Sequence, residues 1–243
     1  MENNNSKAVA DFYDEFKTSQ AKTGTNLRHY FLINQLRKAG LRNDSKVLEI
    51  GCGIGIFTSL ICMTAKRGRV VATDISGESV ALANMRCSFH KNSEFFTTDM
   101  SDFLLDEKFD FIVLADVLEH IPFEAYSNLF EKISGMMHSG SIMFASIPSP
   151  PQIEFLKKFQ PDKLQIIDQA VHTDILCNAI YPAGLVVTKQ EPVTIFHEDP
   201  DYTIFLMRLK PVYQAVKEYS QLRIIFAKQI NRLRFRLSLL IRI

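Results

Sequence analysis

From residue 46 to residue 148 the apolar positions alternate between two rhythms. The runs KVLEI, RVVATDI, EFFTTD, FDFIVLAD and SIMFASIP are β-rich and nearly continuous in apolar character. Between them, GIFTSLICMTAK, SGESVALANMRCSFHK and FEAYSNLFEKISGMM repeat apolar residues at helical spacing. Strands with little polar alternation, separated by amphipathic helices, predict a parallel sheet covered on both faces. The rhythm then changes. GLVVTKQEPVTIF and DYTIFLMRLK are two β-rich runs joined by HEDP, a hairpin signal that makes the last strand antiparallel to its neighbour. Ahead of the sheet, residues 7 to 40 read as two helices around KTSQAKTGTN, the second closing on Gly40 as a C-cap.

The chain is 243 residues long, enough for one large domain with extensions. Its opening residues show no apolar run of secretory-signal length, and no stretch reaches the ~18 apolar residues of a membrane span. Cys52, Cys62, Cys87 and Cys177 are scattered, with no CxxC pair, and read as reduced thiols of a cytoplasmic protein. The net charge of +1 hides an asymmetry. From Arg208 to Ile243 there are nine Lys or Arg and one acid, so the rest of the chain is net acidic. Three regions follow: a helical lid over 1–40, a ligand-binding body over 41–210, and a basic amphipathic helix over 211–243.

The turn after the first strand carries the most specific signal. It reads Glu49-x-Gly51-x-Gly53-x-Gly55, then enters a helix. Glycines there let a ligand approach the backbone and meet N–H groups at the helix start. The dinucleotide pattern G-x-G-x-x-G would need glycine at 56, which is isoleucine. An acid just before the turn suits an ammonium better than a pyrophosphate, which points to a nucleoside bearing an amino acid. Asp74 ends the second strand, where a carboxylate can accept from ribose hydroxyls; Asp99 and Met100 follow the third. The competing reading makes Asp74 and Asp99 helix N-caps beside Ser76 and Ser101.

VLEIGCGIG, ATDIS, TTDM and FDFIVLADVLEHI together resemble the successive motifs of the class I S-adenosylmethionine-dependent methyltransferases, over about residues 26 to 147. The resemblance implies a Rossmann-like, seven-stranded, mostly parallel α/β sheet with its last strand antiparallel and helices on both faces. It implies S-adenosylmethionine as cofactor, S-adenosylhomocysteine as product, and a cofactor site of Arg28, Glu49, Gly51, Gly53, Gly55, Asp74, Ile75, Asp99, Met100, Ala115 and Asp116. Within the family, TGTNLRHYF followed by DVLEHIP is similar to the ubiquinone-biosynthesis O-methyltransferase branch, where an arginine matching Arg28 meets the cofactor carboxylate. The other reading of Arg28 is a solvated helix residue.

Methyl transfer from a sulfonium asks mainly for alignment, and a hydroxyl acceptor also gains from a base. His120 is placed best, just past the fourth strand; packing or capping is its alternative. His172, ahead of a Thr173 N-cap, falls where the family puts substrate contacts, or is a loop residue. His90, His138 and His197 read as surface or hairpin residues, and Glu119 as facing solvent or a basic group. Some relatives bind a divalent ion at acid-x-x-Glu-His, yet no metal is expected here. The family's Pro-Pro-aromatic signature of DNA and protein-glutamine methylation is missing after the fourth strand, and PSPPQ reads as a rigid active-site loop. The expected partner is a small-molecule hydroxyl (a quinone precursor, or a sugar or lipid-linked intermediate), with no nucleic acid. Residues 211–243 offer self-association or contact with the inner membrane surface. The rival from another class is a cofactor-binding scaffold acting through that helix.

Overall fold

The computed structural model describes residues 24–101, 103–161, 164, 167–212 and 219–240. Helix α1 (Leu27–Ala39) opens on a capping box in which Asn26 and His29 exchange side-chain and backbone bonds, and ends on Gly40 at φ 112°. Seven strands follow: β1 (Lys46–Ile50), β2 (Arg69–Asp74), β3 (Ser93–Thr97), β4 (Phe109–Ala115), β5 (Met137–Pro148), β6 (Leu185–Val193) and β7 (Tyr202–Leu209). They form one sheet in the order β3-β2-β1-β4-β5-β7-β6. Strands β1 to β5 pair in parallel, and β7 runs antiparallel to both β5 and β6. The fold class expected from the sequence is the one observed.

The connecting helices are α2 (Ile56–Thr64), α3 (Gly77–Arg86), α4 (Tyr126–Gly135), α5 (Pro150–Phe159) and α6 (Thr173–Ile180). Period-two alternation divides the strands between two cores. Leu48, Ile112 and Leu114 pack with Tyr126, Phe130 and Ile133 of α4 and with Leu176 and Ile180 of α6. Val47, Phe111, Val113 and Phe144 pack with Leu32 and Leu36 of α1 and with Phe57 and Ile61 of α2. Strand order reverses between β1 and β4, so their carboxyl ends open the crevice where α/β sheets bind ligands.

Two expectations change. PSPPQ is not a loop: Pro150 and Pro151 take the first turn of α5, where a missing N–H costs nothing and φ is preset. His172, not Thr173, is the N-cap of α6. Residues Met1–Lys210 and Pro211–Ile243 form two compact units. The second contains helix α7 (Gln221–Leu240). Of the lid, only α1 lies within the described residues; the first helix read in the sequence lies outside them.

Candidate functional site

Strand β1 delivers Glu49 and then the glycine turn to the crevice. Gly51, Gly53 and Gly55 all have left-handed backbones, with φ of 77°, 51° and 78°. A Cβ at Gly55 would lie 2.8 Å from the Ala83 Cα of α3, and one at Gly51 would lie 2.4 Å from Val117 Cγ2. All three positions are therefore conformationally reserved for glycine, and Gly51 and Gly55 sterically as well. The turn is tied to the next strand: Gly51 and Cys52 N–H groups donate to the Thr73 carbonyl, and Gly53 N–H donates to Asp74 Oδ2 at 2.7 Å. Asp74 Oδ1 accepts from Ser76 N–H, while Ser76 itself caps α3. The N-cap is thus Ser76, and Asp74 braces the turn from the edge of the crevice.

Asp99 accepts from Ser101 N–H, and among the described residues no helix follows it before β4. Hydrogen bonds from Ser101 hold its carboxyl below the usual carboxylate range. Met100 and Asp116 adopt φ of 69° and 58°, left-handed conformations that cost non-glycine residues about 1–3 kcal/mol each. Both lie where the sheet edge meets the crevice.

Glu49 is 2% exposed and its Oε2 has no hydrogen-bond partner. Burial pushes its carboxyl up to about 7. A buried acid of this kind calls for a cationic or donating group.

Across the crevice a second set of groups assembles from distant parts of the chain. The Arg28 guanidinium pairs with Asp116 Oδ2, and both meet the Tyr202 hydroxyl at 3.2 Å. Ser146 also donates to Asp116. Beside this network, His120 Nδ1 lies 2.7 Å from the Ile167 carbonyl and 3.1 Å from Asp168 Oδ1. Both neighbours are acceptors, so Nδ1 carries hydrogen. Nε2 lies 3.9 Å from Glu119 Oε1. Burial alone would lower the His120 pKa, but Asp168 and Glu119 outweigh it and raise it to about 8. Glu119 is 2% exposed, its Oε2 lacks a hydrogen-bond partner, and burial raises it to about 6. The solvent-facing reading of Glu119 is therefore corrected: the short turn Leu118–His120 rolls it inward.

One cavity of about 570 Å³ takes in both sets. Its wall includes Arg28, Glu49, Gly51, Gly53, Asp74, Ile75, Asp99, Met100, Ala115, Asp116 and His120. A methyltransferase-domain family model matches residues 47–140, which bring β1 to β4 and the glycine turn. The malonyl-[acyl-carrier protein] O-methyltransferase of Priestia megaterium is 24% identical over 59% of this chain and 48% of its own length. The ubiquinone biosynthesis O-methyltransferase of Nitrobacter winogradskyi is 28% identical over 64% of this chain and 60% of its own. The chain thus spans about half to three fifths of these relatives. A solved S-adenosylmethionine-dependent methyltransferase from Clostridium acetobutylicum superposes with a TM-score of 0.64 at 15% identity, covering 81% of this chain and 97% of that one.

Residues 47–140 thus match a methyltransferase domain. The cavity wall reads easily in the sequence along its glycine edge and less so opposite. Tyr202, Asp168 and Phe196 reach the cavity from segments with no motif. His197, read as a hairpin residue, also lines it, from the link between β6 and β7. There Asp201, 2% exposed, accepts from Ile195 and Phe196 N–H groups. Gly55 lies behind the cavity wall and acts through the turn. His172 is not brought to the cavity; its half-exposed ring faces Glu154 at 3.3 Å. Among the described residues no cluster of His, Cys, Asp or Glu is arranged to hold a metal.

Proposed function

We propose that this chain transfers a methyl group from S-adenosylmethionine to the hydroxyl of a small acceptor. One observation carries the reading: a buried, unpartnered Glu49 carboxylate oxygen beside a left-handed glycine turn, with Glu49, Gly51 and Gly53 opening on one cavity. Those features fit an adenosyl amino acid. Glu49 would receive its ammonium, the glycine turn would admit its methionine part, Asp74 would accept from ribose hydroxyls, and Ile75 and Met100 would flank the adenine with Asp99 at its edge. Arg28, held by Asp116 and Tyr202, keeps an Nε–H free of hydrogen bonds for the carboxylate. The bound cofactor supplies an activated methyl group on a sulfonium.

The protein's share is positioning and a proton. Asp168 and the Ile167 carbonyl fix the His120 ring through Nδ1, and Nε2 would take the acceptor's proton. Alignment can lower a barrier by ~7–11 kcal/mol, and a base adds ~10²–10⁴-fold. The relatives named for ubiquinone biosynthesis support a phenolic quinone precursor; sugar and lipid-linked hydroxyls are the alternatives. Four cysteines, free and three of them buried, support work in a reducing cytoplasm.

A second reading is favoured by the same histidine. With its pKa at about 8, His120 is cationic at neutral pH, which suits a carboxylate acceptor that needs no base. The pH profile separates them. With a hydroxyl acceptor the rate climbs as pH passes 8, whereas with a carboxylate it falls. Calorimetry with S-adenosylhomocysteine comes first, then S-adenosylhomocysteine release across phenols, sugars and carboxylic acids. Heat on titration and one productive acceptor class are expected; no heat, or tight binding of another nucleotide instead, overturns the reading.

A further inference from the structure

Helix α7 carries Arg223, Lys228, Arg232, Arg234 and Arg236 and not one Asp or Glu. At 3.6 residues per turn, Leu222, Phe226, Ile230, Leu233 and Leu237 fall on one face. They are 39–80% exposed, far above what buried core residues show. Arg223 and Arg234 border this stripe on one side, Arg232 and Arg236 on the other. Tyr219, exposed just ahead of the helix, lies under the Arg223 guanidinium at 4.0 Å. Ile224 and Phe235 fall on the opposite face and contribute nothing to the stripe.

We propose that α7 docks lengthwise on the surface of an anionic lipid bilayer. The stripe enters the boundary between headgroups and acyl chains, and the bordering arginines extend to the phosphates. Charge decides against the other occupants. A second copy laid stripe to stripe would bring cationic borders together, with no acid on either helix to alternate with them. A nucleic acid would satisfy the arginines but leave five large apolar side chains in water. Lipid answers both, since phosphate meets the borders and hydrocarbon meets the stripe. The helix lies on the bilayer and does not cross it: among the described residues no helix is long and apolar enough to span a membrane. The proposal is independent of which methyl acceptor the cavity takes.

Flotation of the full chain with phosphatidylcholine vesicles, with and without phosphatidylglycerol, tests it. The chain should partition at least about tenfold more onto the anionic vesicles, and less as salt screens the arginines. A stripe variant, Phe226→Asp with Leu233→Asp, should lose about tenfold or more, as should a border variant, Arg232→Glu with Arg234→Glu and Arg236→Glu. Both should keep the melting curve and the S-adenosylhomocysteine heat of the parent, so that a failed helix is distinguished from a failed cavity. No flotation, equal flotation on neutral vesicles, or a stripe variant that still floats overturns the proposal. So does a dimer in light scattering that the stripe variant splits, or retention on RNA or DNA without retention on lipid.

Discussion

The two sides of the cavity are built by opposite strategies. The glycine edge is local: Glu49, Gly51, Gly53 and Gly55 are near neighbours in sequence, and the brace from Asp74 spans 21 residues. The histidine edge is assembled at long range. Arg28 meets Tyr202 across 174 residues, Tyr202 meets Asp116 across 86, and His120 meets Ile167 across 47. Backbone shape decides the first edge, and ionisable side chains collected by the fold decide the second.

The comparison can be broken hardest at Gly55. Gly55→Val places a β-branched side chain at φ 78° against the Ala83 backbone. It should cost about 3 kcal/mol or more of stability and lower the melting temperature by roughly 10 °C. Heat on titration with S-adenosylhomocysteine should vanish. A variant that binds normally would show that the turn is not the cofactor cradle.

Next comes His120→Ala, which should lower kcat about 100-fold with a hydroxyl acceptor and leave S-adenosylhomocysteine affinity within about threefold. An equal loss in both would mean that the two edges are not separable. Glu49→Gln should do the reverse, weakening S-adenosylhomocysteine about tenfold while kcat at saturation changes less.

Glu49 also sharpens the contrast through pH. Its folded pKa of about 7 exceeds the ordinary 4.5, so the folded protein holds this proton more tightly than the unfolded chain. Stability of the ligand-free protein therefore falls as pH rises from about 4.5 to about 7, by on the order of 3 kcal/mol. His120, raised from 6.5 to about 8, stabilises fully below 6.5 and loses that contribution as pH passes 8, extending the fall. Denaturant titrations across this range should show a decline that Glu49→Gln flattens in its lower part. Affinity for S-adenosylhomocysteine should rise towards pH 7, since an ammonium needs Glu49 ionised. The smallest effect belongs to Tyr202→Phe, which removes one hydroxyl from the Arg28–Asp116 pair and should cost about 1 kcal/mol in denaturant titration. A larger loss would mean that the network, not the pair, fixes Arg28.

The sequence by itself determined the sheet, the reversed last strand, and the glycine edge with the residues just beyond β2, β3 and β4. Each is written in consecutive residues, because apolar period, glycine conformation and strand-end position are local properties. Gly51 and Asp74 could be read for that reason. Tertiary structure alone decided the opposite edge. Glu119 is turned inward by one short helical turn, Asp168 reaches His120 from a segment without a motif, and Tyr202 arrives because β7 inserts between β5 and β6. His172, the second base candidate along the chain, is left facing Glu154 at the surface. No local rule separates these residues, since burial and partnership depend on which distant segments the fold brings within a few ångströms.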